Sequence, residues 1–143
     1  IASLVKTLHY NPYENYIRSN CSTAKQDAAK FARPLALADP REVRRYHYYS
    51  GVKTLGVPAL DFPGDTVNPA VIKSFLTRYS PQCDVLYLFI VELSSNEPLT
   101  GAALGIPPEN WKLLSCRYQN RRKKKQLRLY RYLPPKREKA KKL

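Results

Sequence analysis

The residues with the clearest chemical content are arginines set among tyrosines. Arg117-Tyr118-Gln119-Asn120-Arg121-Arg122 and Arg128-Leu129-Tyr130-Arg131-Tyr132 interleave guanidinium groups with phenol rings. A guanidinium fork matches two phosphate oxygens and stacks on flat rings, and a tyrosine offers its face to an unstacked base. Lys123, Lys124 and Lys125, and further on Lys136, Arg137, Lys139, Lys141 and Lys142, lack interleaved aromatics and suit sequence-blind contact with phosphate. A smaller set, Arg41, Arg44 and Arg45 beside Tyr46, His47, Tyr48 and Tyr49, repeats the pattern, although Arg44 and Arg45 equally fit an ordinary solvated face. The chemistry implied is RNA binding. Its expected contacts are Arg117, Tyr118, Arg121 to Lys125, Arg128, Tyr130, Arg131, Tyr132, Lys136, Arg137, Lys139, Lys141 and Lys142, with Arg44 and Arg45.

The other reactive side chains do not fall into a catalytic or metal-binding pattern. Cys21, Cys83, Cys116, His9 and His47 have neither C-x-x-C nor H-x-x-x-H spacing, so no metal is expected. Nothing local marks a thiolate beside a base, as a Cys–His nucleophile needs. Asp61, Asp65 and Asp84 stand at turn or cap positions, where carboxylates serve the backbone. The five glycines form no phosphate cradle, and no nucleophile elbow occurs. No enzyme activity, cofactor or small-molecule substrate is expected. Three widely spaced cysteines do not make a disulfide framework, which favours a reducing, intracellular setting. Asn20-Cys21-Ser22 matches the glycosylation pattern, a short match that means little without a secretion signal.

The location of the charge sharpens the reading. The 143 residues carry a formal net charge of +14. Residues 1–116 hold 12 basic and 10 acidic residues, whereas residues 117–143 hold 13 basic residues and one acid, Glu138. The expected organisation is a compact, near-neutral body over 1–116 and a basic extension over 117–143. Such an extension repels itself in isolation and gains from counterion release when it meets a polyanion. Deleting residues 121–143 is therefore expected to spare the fold and weaken RNA retention. The longest apolar run, Val85 to Val91, has seven residues, against about 20 for a spanning helix, so no membrane span is expected. The chain contains no methionine, which fits a processed or trimmed polypeptide, and Ile1 to Leu8 is too short for a secretory signal.

The elements that must position these residues are partly legible. Leu4 to Leu8 suggests a short strand or arm. Ser22 and Thr23 with Gln26 resemble a capping box for a helix over 24–33, closed by Pro34. Asp39-Pro40 is another helix start, followed by β-formers over Val43 to Tyr49, so helix and strand compete. Gly51 to Gly64 reads as irregular. Asn68-Pro69 opens the clearest helix, with Val71, Ile72, Phe75, Leu76 and Tyr79 on one stripe. Asp84 to Leu93 predicts a strand covered on both faces. Gly101 to Pro108 predicts a loop, and Pro107-Pro108-Glu109 a helix carrying Trp111, Leu114 and Tyr118. Gln126 to Leu133 fits either a strand or the end of that helix. The fold class is α+β, a small single domain with a few strands and two to four helices, followed by a polybasic segment.

Among polyanions, a membrane surface would need a second anchoring signal and DNA a recognition element, and neither pattern is present. The lysine runs also match a nuclear import address. RNA held through backbone and shape is the best fit. In its build the chain resembles the ribosomal proteins of mitochondria: a near-neutral body (Ile1 to Cys116), many tyrosines and prolines, and an extension bearing Arg121-Arg122-Lys123-Lys124-Lys125 and Lys139-Ala140-Lys141-Lys142. The resemblance implies a structural role, with rRNA and neighbouring ribosomal proteins as partners and a mitochondrial location, or else a cytoplasmic or nuclear ribonucleoprotein. The competing expectations are an accessory subunit of a large respiratory or other protein assembly, and an RNA-processing factor. About six neutralised phosphates would give a log–log salt slope of roughly −4 to −5.

Overall fold

The apolar run Val85 to Val91 forms the middle of a five-stranded sheet in the computed structural model, which describes residues 12–58, 60, 67–118 and 124–135. The strands are β1 (Pro34–Ala38), β2 (Thr54–Gly56), β3 (Val85–Leu93), β4 (Trp111–Tyr118) and β5 (Lys125–Tyr132), in spatial order β2-β1-β3-β5-β4. β1 runs parallel to β2 and to β3, while β5 is antiparallel to both β3 and β4. Four α-helices are described: α1 (Pro12–Ala28), α2 (Val43–Ser50), α3 (Pro69–Tyr79) and α4 (Gly101–Leu104). The protein is a small α+β single domain.

β3 is apolar on both faces because helices lie on both. Leu86, Leu88 and Ile90 share one core with Ile72 and Leu76 of α3, Leu104 of α4, and Trp111, Tyr130 and Tyr132. Val85, Tyr87 and Phe89 share the other with Tyr16, Ile17, Cys21 and Ala24 of α1 and Tyr46 of α2. Strand side chains alternate in direction, so each face takes every second residue. On β1 the alternation is Leu35 and Leu37 toward α3 against Ala36 and Ala38 toward α1 and α2. Tyr46 stacks on Phe89 at 4.4 Å, and Trp111 on Tyr130 at 4.9 Å.

The local signals that name a backbone requirement are realised. Asn68 accepts from the Ala70 amide to open α3, with Pro69 in the first position. Asp39 accepts from the Arg41 amide and opens a 3₁₀ turn, Pro40–Glu42, that leads into α2. Gly51 ends α2 at φ 70°, a backbone conformation a side chain would strain. Gly56 is needed for closeness rather than φ: an added Cβ would lie 2.8 Å from the Pro40 Cα.

Other expectations are corrected. The helix expected over 24–33 is α1, which spans Pro12–Ala28. Thr23 does not cap it but sits inside it, its hydroxyl donating to the Ser19 carbonyl, and Phe31 packs against the core from beyond its end. The segment 43–49 is helical, with Tyr46 on its buried side and Tyr48 turned to the surface. The irregular stretch contains β2, and the loop after Thr100 contains α4, capped by the Thr100 hydroxyl. Pro107-Pro108-Glu109 opens only a 3₁₀ turn, Pro108–Asn110. Trp111 to Tyr118 is then a strand, since β5 offers it a ladder that an isolated helix could not match. The expected arm over 4–8 and residues 136–143 of the basic segment lie outside the described residues.

The largest correction concerns the boundary at 116/117. It cuts β4 one residue before its last pair, and β5 lies inside the sheet, hydrogen-bonded on both sides. The body thus runs through Tyr132. Deleting 121–143 would remove an interior strand and cannot spare the fold.

Candidate functional site

β5 carries five of the expected RNA contacts, Lys125, Arg128, Tyr130, Arg131 and Tyr132, and the sheet takes three of them into its interior. Arg128 is 3 % exposed and pairs through Nη1 with the equally buried Glu92 of β3. Its Nε donates to Gln126 Oε1 at 2.9 Å, and its Nη2 to the Asn96 carbonyl at 2.7 Å. Tyr130 is fully buried, and its hydroxyl accepts the Leu99 amide at 3.0 Å. The Trp111 indole donates to the Leu99 carbonyl at 2.8 Å, so the two stacked rings fasten the 94–99 loop to the sheet. Tyr132 is buried in the same core. Arg128, Tyr130 and Tyr132 are therefore corrected from RNA contacts to structural groups: all three are buried, and the polar atoms of Arg128 and Tyr130 are occupied. Burial raises the Glu92 pKa against the pull of Arg128. For Arg128 burial acts downward, but Glu92 and the surrounding hydrogen bonds leave its pKa raised. Burial, with the Glu92 carboxylate adding, pushes the Tyr130 phenol up to about 12.

Arg131, on the opposite face, reaches Asp27 at the end of α1 through Nη1 at 2.9 Å. Asp27 also accepts from the Tyr87 hydroxyl at 2.6 Å, and Lys30 lies 3.5 Å away. Burial, reinforced by that hydrogen bond, raises the Tyr87 pKa. This cluster ties α1 to β3 and β5 as the Glu92–Arg128 pair ties β3 and β5 to the loop. A second tie holds α1 to β4: Asn20, fully buried, donates to the Tyr16 carbonyl at 2.9 Å and accepts from Ser115. Its burial leaves no room for a glycan on Asn20.

The remaining expected contacts divide by place. Arg117 is exposed near the end of β4, and its Nε donates to Ser19 Oγ of α1 at 2.9 Å. Tyr118 is the last residue of β4; Lys124 is exposed just before β5, and Lys125 is half-buried at its start. On α2, Arg44 is exposed, whereas Arg45 is half-exposed, 3.5 Å from Glu42. Arg121, Arg122, Lys123, Lys136, Arg137, Lys139, Lys141 and Lys142 lie outside the described residues.

Between Arg117 and the α2 arginines stands α1, which Arg117 meets at Ser19 and which meets α2 through Tyr49 and a residue absent from the expected contacts, Arg18. Arg18 of α1 lies 5.0 Å over the Tyr49 ring of α2 and donates to the Tyr49 hydroxyl at 3.3 Å. Tyr48 meets Tyr49 edge-on at 5.2 Å. An Arg-over-Tyr contact across 31 positions has no signature in spacing. It depends on how α1 and α2 pack.

Among the described residues, no three His, Cys, Asp or Glu side chains gather as metal ligands, and no helix is long and apolar enough to cross a membrane. Asp84 is engaged by Arg33 through its amide at 3.0 Å and its guanidinium at 3.1 Å; Asp61 and Asp65 lie outside the described residues. Burial pushes the Cys21 thiol up to about 12 and the Cys83 thiol to about 11, the protonated, unreactive range. Cys116 is half-buried and donates to Gln126 Oε1 at 2.8 Å. Comparison with protein-family models, curated proteins and solved structures finds no match to this chain.

Proposed function

We propose that the protein is a structural constituent of a ribosome, in mitochondria, without catalytic activity. In this reading the basic residues between β4 and β5 in the sequence and after β5 hold rRNA, and the body packs on neighbouring ribosomal proteins. One observation carries the reading: residues 117–143 hold 13 basic residues against one acid, in a chain that is otherwise nearly neutral. Arg128 and Arg131 spend their charge on Glu92 and Asp27, so the surplus falls on Arg117, the 121–125 run and the 136–142 stretch. Each such group that meets a phosphate releases counterions, and the gains add along the segment.

The test is sedimentation of the tagged full chain from a lysate, with and without ribonuclease. Migration with a large particle that collapses on ribonuclease treatment is the expected result. Comigration that survives it would favour an accessory subunit of a protein assembly instead. Replacing Lys136, Arg137, Lys139, Lys141 and Lys142 by Gln should preserve the fold and loosen retention as salt is raised.

A further inference from the structure

The α1 helix forms a ridge with basic groups on both flanks. Its buried residues, Tyr16, Ile17, Asn20, Cys21, Ala24, Asp27 and Ala28, occupy one side. The opposite stripe, Asn15, Arg18, Ser22, Lys25 and Gln26, is exposed, and the sequence from 15 to 26 contains no acid. Arg18 borders the stripe on the α2 side, over Tyr49, and Ser19 borders it on the β4 side, where Arg117 reaches it.

Arg117 points this way because of a defect in the ladder. Trp111 and Leu113 pair with Tyr132 and Tyr130 and face α3. The register then shifts between Leu113 and Ser115, so that Ser115 and Arg117 pair with Leu129 and Leu127, on the α1 side. Without that one-residue irregularity, a residue at 117 would face α3. Beyond Tyr49, α2 presents Arg44 and Tyr48 one helical turn apart. Tyr48 is 80 % exposed, the single large apolar side chain among the described residues left so open.

We infer that this α1–α2–β4 face is a binding site for single-stranded RNA, with Arg18, Arg44 and Arg117 on backbone phosphates and Tyr48 stacked on a base. The inference rests on the RNA-binding reading above and adds a site to it. Charge complementarity selects a polyanion. The pairing of arginine with an open aromatic ring selects unpaired nucleotides over an acidic protein, which gains nothing from a stacking platform.

The experiment uses the full chain with a labelled oligouridine and an RNA duplex of equal length, read by fluorescence anisotropy across a salt series. Tyr48→Ala should weaken oligouridine binding about ten-fold and leave duplex binding unchanged. Arg18→Gln and Arg117→Gln should each reduce the log–log salt slope by about 0.7. Melting curves for all three variants should match the parent, which separates lost contacts from lost folding. If these variants bind oligouridine like the parent and only the variant neutralised at 136–142 loses it, the face is not a site, while the ribosomal reading stands. If the parent binds neither RNA, both readings fall. If polyglutamate displaces oligouridine as well as RNA does and Tyr48→Ala is silent, an acidic protein is the partner and the inference is overturned.

Discussion

Two regions of this molecule use the same residue types for opposite ends. In β5, Arg128, Tyr130 and Tyr132 are interior groups, paired, stacked or packed. On the α1–α2–β4 face, Arg18, Arg44, Arg117 and Tyr48 are exposed. An arginine beside a tyrosine is thus not by itself a sign of nucleic acid. What separates the two cases is the number of covered faces. A strand with helices on both sides and partners at both edges has no surface to offer, and its polar groups must be satisfied internally. An exposed helix ridge has no such obligation.

Truncation separates the two regions by the largest effect. Removal of 121–143 should abolish cooperative thermal unfolding, whereas Gln substitution at Lys136, Arg137, Lys139, Lys141 and Lys142 should leave the melting curve intact. A folded truncation product would show that β5 is dispensable and return its arginines to the surface. Next in size, Arg128→Met should cost about 3–5 kcal/mol in denaturant unfolding by stranding the Glu92 carboxylate. The double variant Glu92→Met, Arg128→Met should recover most of that loss, because an apolar pair of similar volume needs no partner. Smaller again, Tyr130→Phe should cost about 1–3 kcal/mol, since the Leu99 amide loses its acceptor.

Two milder predictions concern pH and the surface. Cys21, Cys83 and Tyr130 have folded pKa values pushed up to about 12, 11 and 12, so the fold holds their neutral forms. Their contribution is complete below the unfolded values and declines as pH rises from those values through the folded ones. The melting temperature should therefore fall from about pH 9 upward, thiols first and then phenols, and Cys21→Ala should flatten the first part of the decline. Finally, Tyr48→Ala and Arg44→Gln should change stability by no more than about 0.5 kcal/mol. A larger loss would mean that the exposed face is structural after all.

The sequence displayed what is local. Asn68-Pro69, Asp39-Pro40 and the apolar run at Val85 each state a backbone requirement within a few residues, and each was realised. The α+β class followed from their alternation. Residues 111–118 form a strand where their spacing predicts a helix, and 126–132 fit either state in sequence, because both depend on partners far away in the chain. Trp111, Leu114 and Tyr118 have helical spacing, but the β5 ladder and the bulge at Leu113/Ser115 override it. Of the candidate site, the basic groups on β4 and α2 were visible as types. The contact of Arg18 with Tyr49 was not, nor was the pairing of Glu92 with Arg128, because each joins residues dozens of positions apart. A lone acid at the end of an apolar run, as Glu92 is, was the available hint that a buried cation must exist elsewhere.

The position of β5 has a consequence for how the protein is made. It is the last of the five strands to leave the ribosome that synthesises the chain, yet it belongs between β3 and β4. Until about residue 132 has emerged, β3 keeps a bare edge, Glu92 has no counter-ion, and β4 has nothing to pair with. Nascent chains arrested short of that point should remain open and prone to capture by chaperones, and folding should complete only once the hairpin can close.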